Sequence, residues 1–257
     1  MKKILSFDVD QTLNISKTPI TPRMASLLTR ALDYYEICPI SGQKFDQFLV
    51  QIVDEMPSAT PDQLQHLHLF VTQGTRYYRY NTSKKDWDLV YKYDLTDDQV
   101  AKMTSALEQA TKELGYWEED KLAEGDEIIE NRISQVTLSA LGQKAGTEAK
   151  YAWDPDHKKR EKIAKLAKKL APEFDYEVAG TTSINVTLPG TNKAFGMTHM
   201  MEELKVTKDE ILYFGDMTQP GGNDYPVVQM GIDTITVRDW EETANVLDGI
   251  LAIAPKR

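Results

Sequence analysis

Short apolar runs and longer stretches of helical spacing alternate at both ends of the chain, and a different rhythm occupies its middle. "KKILSFDV" is a brief continuous apolar run of the kind that forms a fully buried strand. "PRMASLLTRALDYY" (22–35) repeats apolar residues at helical spacing at a Thr-Pro start signal. "EICPIS" (36–41) then predicts a strand, "KFDQFLVQIVDEM" (44–56) a helix and "HLHLFVTQG" (66–74) a third strand. Strands separated by helices imply a parallel sheet covered on both faces. The pattern changes at "RYYRYNTSKKDWDLVYKYDL" (76–95), where aromatic alternation predicts hairpin strands. A long helix follows at 96–115, an alternating stretch at 128–141, a basic helix at 157–170 and another alternating stretch at 175–189. "DEILYFGD" (209–216) and "MGIDTITVRD" (230–239) restore the opening rhythm. The chain reads as an α/β domain with a Rossmann-like parallel sheet, 1–81 and 188–257, interrupted by an inserted α+β cap at 82–187.

Composition narrows this picture without redirecting it. Apolar residues make up 41% of the chain and charged residues 27%, ordinary values for a soluble globular protein. No run approaches the roughly 18 apolar residues that span a bilayer. "MKKILSFDVD" has the charge of a signal peptide, but Asp8 breaks its apolar run within a few residues. A cytoplasmic protein with no membrane partner is the expectation. The one cysteine, Cys38, excludes an internal disulfide and any cysteine-rich metal site, and its apolar surroundings predict buried packing. A net charge of −10 argues against a sequence-independent nucleic-acid surface. The basic run 157–170 goes against that trend, but Ile163, Leu166 and Leu170 fall at helical spacing, which predicts an amphipathic helix with a solvated face. The histidines of "HLHLF" read as structural.

Candidate chemistry collects where the predicted core strands end, the edge of a parallel sheet at which ligands gather. Asp8 and Asp10 follow the first strand, and period-two alternation puts both carboxylates on one side. Two adjacent carboxylates repel unless a divalent cation lies between them, or one is a nucleophile and the other a protonated acid. Asp10 as a turn cap is the plainer alternative. Ser41 and Gly42, after the second strand, pair a hydroxyl with backbone N–H groups in an anion-binding arrangement that also fits a simple cap. Lys193 opens a helix, where the dipole disfavours a cation unless an anion or the carboxylate pair meets it. "YFGDMTQPGGNDYPV" (213–227) supplies Asp216 and Asp224, oxygen donors suited to Mg²⁺ directly or through water.

In their order and separation these four stretches resemble the motifs of the haloacid dehalogenase superfamily of phosphotransferases. The resemblance implies that Asp8 is the nucleophile, forming an aspartyl-phosphate, and that Asp10 is the general acid and base. It implies that Thr12, Ser41, Gly42 and Lys193 hold the phosphoryl group, and that Mg²⁺ is bound by Asp8, Asp10, Asp216 and Asp224. An insert between the serine and lysine motifs matches the type IIB branch, with its C2B cap. Within that branch "GDMTQPGGND", "IIENRISQVTLSALGQ" and "GTTSINVTLPGTNK" are similar to the eukaryotic-type phosphomannomutase family. That family grips a distal phosphate with several arginines. Arg132 matches one of them; Gln143, Lys150 and Lys17 stand at others, Gln11 replaces a glycine, and Asn185 replaces an aspartate beside a matching Ser183. Arg132, Lys150, Ser183 and Asn185 are therefore expected to meet substrate. Lysine does not reproduce arginine at a bidentate phosphate site, so the departures favour a Mg²⁺-dependent phosphatase of a phosphorylated sugar or similar small metabolite. Phosphomannomutase activity is the alternative. A non-catalytic phospho-ligand sensor is a third reading, opposed by the joint presence of Asp8, Asp10, Lys193 and Asp216. The related mutases dimerise through their caps, which leaves a homodimer open.

Overall fold

The computed structural model describes residues 1–15 and 18–254, apart from the side chains of Lys121 and Thr147. Lys17 lies outside the described residues. The chain begins with β1 (Ile4–Phe7), α1 (Pro22–Ala31), β2 (Glu36–Pro39) and α2 (Phe45–Phe48), which runs on as a π-helical turn, Leu49–Val53. It continues through α3 (Pro61–Leu64), β3 (His68–Val71), β4 (Arg76–Asn81) and β5 (Asp86–Lys92). The middle holds α4 (Asp97–Glu113), β6 (Ile129–Asn131), β7 (Val136–Ser139), α5 (Thr147–Trp153), α6 (Lys158–Leu170), β8 (Asp175–Ala179) and β9 (Ser183–Thr187). The last part is α7 (Lys193–Leu204), β10 (Ile211–Gly215), α8 (Tyr225–Gln229), β11 (Asp233–Thr236) and α9 (Trp240–Ile253).

Two compact units divide these elements, Met1–Lys92 with Asn192–Arg257 and Tyr93–Thr191. The expected first boundary, at residue 82, falls in the turn between β4 and β5, whose hairpin pairs with β3 and stays in the first unit. An aromatic hairpin read from sequence carries no mark of the sheet it will join. No helix among the described residues is long and apolar enough to cross a membrane.

In the first unit β11, β10, β1 and β2 form a parallel sheet in that order, and β3 continues it beside β2 through the bridges Ile37–Leu67 and Ile40–Phe70. Alternation along β1 decides the layers. Leu5 and Phe7 share a core with Leu27 and Leu28 of α1 and Leu247 and Leu251 of α9. Ile4 shares the other with Met197 and Met200 of α7. Cys38 is buried in that second core, as expected of a packing residue. α1 starts where the Thr-Pro signal predicts, with Met24 N donating to Thr21 Oγ1 at 3.3 Å. α7 lies so close to the turn after β3 that a Cβ on Gly74 would sit 2.4 Å from Gly196 Cα, a contact only glycine permits.

At the strand starts, opposite the edge that carries Asp8, Glu36 meets both histidines of "HLHLF". His66 Nδ1 is 3.0 Å from its Oε1, and His68 Nε2 2.9 Å from its Oε2. Tyr77 OH adds a 2.7 Å bond to His68 Nδ1. Burial, the largest influence, pushes the Glu36 carboxyl up, but His68 and His66 outweigh it and bring the group down to about 2.

The second unit is an antiparallel sheet, β6-β7-β9-β8, with two helices on one face. Val136, Leu138, Ile184 and Val186 point to that face and pack with Met103 and Leu107 of α4 and Ile163 and Ala167 of α6. Gln135, Thr137, Ser139, Ser183 and Asn185 alternate onto the other, with Thr137 opposite Asn185 and Ser139 opposite Ser183. The amphipathic reading of α6 needs one correction. Leu170 is 41% exposed, whereas Arg160 is 1% exposed. Arg160 Nε donates to Asp154 Oδ2 at 2.8 Å and its guanidinium also meets the carbonyls of Asp154 and Ala179, so its charge is buried fully paired.

Candidate active site

β1 and β10 run side by side and in parallel, so the residues leaving them emerge at one edge. Asp8 follows β1 and stays tied to the sheet through Asp8 N donating to Phe214 O at 2.9 Å. Asp216 follows β10 directly. Asp224 returns to the same place through the Gly-rich loop, and each of Asp8, Asp216 and Asp224 offers a carboxylate oxygen within 4.8 Å of the others. Gly215 makes room, since a Cβ there would lie 2.5 Å from Asp224 Oδ2.

Lys193, the first residue of α7, enters this cluster almost fully buried. Its Nζ lies 2.6 Å from Asp8 Oδ1 and 2.6 Å from Asp224 Oδ1. The expectation that a lysine at this helix start meets a carboxylate pair is met, though the pair is Asp8 with Asp224. Tyr213 OH donates to the same Asp224 oxygen at 2.5 Å, and Met217 N donates to Oδ2 at 3.0 Å. Both Asp224 oxygens are therefore committed to protein donors. Asp224 thus aims Lys193, and it remains one of three acidic groups close enough together to hold an ion.

Electrostatics follow from burial and crowding. Burial, outweighing the downward pull of Lys193 and joined by Asp224, raises the Asp8 carboxyl to about 8. Asp216 is raised too, by burial and then by Asp224. Burial opposes the charge on Lys193, but Asp8 and Asp224 outweigh it and hold the ammonium above its ordinary value. Asp8 is buried and Asp216 partly so, with carboxylate oxygens within 4.8 Å of each other. Two carboxylates so placed share a proton or a cation, and a hard divalent ion with oxygen preference suits them. Asp8 and Asp216 fit Mg²⁺ in donor type and proximity.

Asp10 departs from the expectation. β1 ends at Phe7, and Thr12, Leu13 and Asn14 all direct their N–H groups at Val9 O, so Asp10 sits on a tight turn and strand alternation no longer applies. Its carboxylate lies outside the three-aspartate cluster and accepts from Gln43 Nε2 at 3.0 Å. Gln11, in the position of the expected family glycine, has φ 63. Thr12 is fully buried and its Oγ1 has no hydrogen-bond partner. Ser41 is buried after β2 and its Oγ accepts from Gln43 N at 3.4 Å. Ser41 and Gly42 precede α2 by several residues, so they form a loop before the helix and do not cap it.

The cap residues fall into two groups. Asn185 Oδ1 accepts from Gln135 Nε2 at 2.9 Å and from Thr137 Oγ1 at 3.1 Å, while Ser183 and Ser139 hydroxyls are 3.3 Å apart. Gln143 Nε2 donates to Ser139 Oγ at 2.7 Å, and Lys150 Nζ donates to Gln143 O at 2.7 Å. Asn185 thus belongs with Gln135 and Thr137, and Ser183 with Ser139, Gln143 and Lys150. Arg132 lies just beyond β6, paired with Glu130 at 2.8 Å. Tyr213, Gln43, Gln135 and Thr137 were not singled out in sequence. The polar alternation of "QVTLS" and a tyrosine inside an apolar strand, whose hydroxyl must find a partner, were the available signals.

The three-layer core with its acidic strand ends and inserted α+β unit is that of the haloacid dehalogenase-like phosphotransferases. A haloacid dehalogenase-like hydrolase from Bacteroides thetaiotaomicron superposes with a TM-score of 0.62 at 13% identity, over 97% of this chain and all of that one (100%). An N-terminally truncated IMP-nucleotidase from Plasmodium falciparum gives 0.71 at 18% identity, over 97% and 70%. The chain belongs to the eukaryotic phosphomannomutase family, whose profile it matches over residues 119–253. A probable phosphomannomutase of Caenorhabditis elegans is 24% identical over 233 residues, covering 88% of this chain and 86% of that one. The Drosophila melanogaster phosphomannomutase is 32% identical over 105 residues, 39% of this chain and 41% of that one. The protein is an enzyme of the superfamily's phosphatase and phosphomutase group.

Proposed function

We propose that this chain moves a phosphoryl group between positions of a hexose phosphate, interconverting mannose 1-phosphate and mannose 6-phosphate, through a phosphorylated Asp8. The single observation that carries the proposal is the buried Asp8–Lys193–Asp224 array at the strand ends, in a chain related along most of its length to proteins named phosphomannomutase. An Asp8 oxygen attacks phosphorus, the bond from phosphorus to the sugar oxygen breaks, and Asp10 gives that oxygen its proton. Asp10 then takes a proton from a second sugar hydroxyl, whose oxygen attacks the phosphorylated Asp8 and restores the carboxylate. Lys193, aimed by Asp224, neutralises charge beside Asp8, and Thr12 and Ser41 offer hydroxyls to the phosphoryl oxygens. Asp8 and Asp216 would hold Mg²⁺, which when bound supplies the positive charge that lets a buried carboxylate meet a phosphate dianion. The cap's polar sheet face, with Ser183, Asn185 and Lys150, and Arg132 beyond β6 serve substrate recognition.

A second reading, net hydrolysis of a sugar phosphate, is favoured by one observation. Neutral Gln143 and Asn185 stand where a mutase of this family grips its second phosphate and orients its sugar, and Arg132 is paired within the cap. One incubation separates the two. With mannose 1-phosphate, a hexose bisphosphate activator and Mg²⁺, a mutase yields the 6-phosphate without free phosphate, and a phosphatase yields free phosphate and mannose. An Asp8 that beryllium fluoride does not modify in an active enzyme would overturn both.

A further inference from the structure

We infer that Gln43 is the positioning residue for Asp10, setting the direction in which that carboxylate exchanges its proton. The inference rests on the acid–base role proposed for Asp10.

Asp10 needs such a partner because of where the chain puts it. It stands on the turn after β1, beyond the last sheet-paired strand residue and before the strained Gln11, so strand pairing does not orient its side chain. A carboxylate that must give a proton to one oxygen and take it from another has to hold its reach to a fraction of an ångström. Gln43 Nε2 donates to Asp10 Oδ2 at 3.0 Å from the loop after β2, a separate piece of chain that is itself well anchored. Gln43 is 6% exposed. Its carbonyl accepts from Thr72 N at 2.9 Å and its own N–H donates to Ser41 Oγ. In the turn that supplies Thr72 N, the non-glycine residues Thr72 and Gln73 adopt positive φ, and such strain concentrates at functional sites.

The other end of the amide makes the assignment specific. Gln43 Oε1 is buried with no hydrogen-bond partner among the described residues. Burying an unpaired amide oxygen is unfavourable, and a methionine of the same length would fill the space without that cost. As packing, glutamine is a poor choice here. What the amide adds is the Nε2 donor, and its one side-chain partner is Asp10. Lysine or arginine at 43 would also donate, but would add a charge beside the proton-carrying group; the neutral amide orients Asp10 without doing so.

The test uses the full-length enzyme with Mg²⁺ and mannose 1-phosphate, following both isomerisation and phosphate release. Gln43→Met is expected to lower kcat about 10–100-fold, with KM within about twofold and thermal stability retained, as for loss of a hydrogen bond to a charged group. Gln43→Glu, which sets a carboxylate against Asp10, is expected to lose more than Gln43→Met. In an Asp10→Asn background, Gln43→Met is expected to have no further effect, the non-additivity of residues acting as a unit. Wild-type kcat in Gln43→Met, or full additivity with Asp10→Asn, overturns the inference. A loss that tracks a fall in melting temperature also overturns it, because the residue is then structural. If Asp10→Asn alone leaves turnover intact, the acid–base reading itself fails, and that outcome is separate from the others.

Discussion

The strand-end site of the core and the polar face of the cap sheet are both networks of buried hydrogen-bonding side chains, built on opposite electrical plans. In the core, Asp8, Asp216, Asp224 and Lys193 are ionisable groups packed within a few ångströms, locked by Tyr213 and by backbone N–H groups. On the cap, Gln135, Thr137 and Asn185 bond one another, as do Ser139, Ser183 and Gln143, and all six are neutral. A buried charge is tolerated only where a partner or ligand balances it, so the core spends stability to hold charge ready for a phosphate and an ion. Neutral amides and hydroxyls impose no such demand. They suit recognition of uncharged hydroxyls, which either give or accept a hydrogen bond. On the proposed function, the chemistry belongs to the core and the selectivity to the cap.

The sharpest way to break that division is Asp8→Asn. It is expected to lower turnover by roughly a thousandfold or more, the usual consequence of removing a nucleophile, and to abolish labelling of the enzyme by substrate phosphate. Labelling that persists at another carboxylate would move the chemistry out of the strand-end site. Lys193→Met should come next. It strands Asp8 and Asp224 without their shared cation, and breaking a buried pair in this way costs about 3–5 kcal/mol, visible as a lower denaturation midpoint and lost turnover. Stability equal to wild type would show that the cluster is not charged as described.

On the cap side, Gln143→Arg with Lys150→Arg is expected to raise the ratio of 6-phosphate to free phosphate several-fold, because bidentate guanidinium groups hold a second phosphate that an amide and an ammonium do not. An unchanged ratio would mean the cap does not set this outcome. A smaller effect tests the opposite edge of the core sheet. The Glu36 carboxyl is brought down to about 2 in the folded chain, so its contribution is present above the ordinary carboxylate range and is lost as pH falls through 4.5 towards 2. After allowance for solvent screening at this partly exposed group, the loss is on the order of 1–2 kcal/mol. Glu36→Gln should flatten the acid limb of the stability curve; an identical limb would remove the histidine pair from the account. The smallest change expected is Gln11→Gly. Relief of a left-handed glutamine, offset by glycine's greater chain entropy, should stabilise by roughly 0.5–1 kcal/mol without altering KM.

Comparison with relatives changed the balance between two reactions. The substitutions at 143, 150 and 185 favour hydrolysis when weighed alone, whereas the relatives that share most of the chain's length are named for the mutase reaction. Side-chain chemistry at single positions speaks to how firmly a second phosphate is held. It does not say whether the enzyme has other means to retain it.

Local sequence was sufficient to place β1, α1, β2, α4 and β10, because hydrophobic period and start signals are properties of a few consecutive residues. It also identified Asp8, Lys193 and Asp216, since motif order along an α/β chain maps directly onto the strand ends of a parallel sheet. Three things were settled only by the folded chain. Asp10 fell outside the three-aspartate cluster, on a turn, because β1 stopped at Phe7, a matter of where the strand loses its neighbours. Asp224 became the support of Lys193 because Tyr213 and Met217 N reached it first. Arg160, in a run that reads as a solvated basic face, was buried because Asp154 and three backbone carbonyls lay in reach. Each depends on which groups meet across long separations in the chain or at a local turn, and a side chain's role is decided by the partner that arrives. Periodicity is written in the neighbours along the chain; partnership is written only in space.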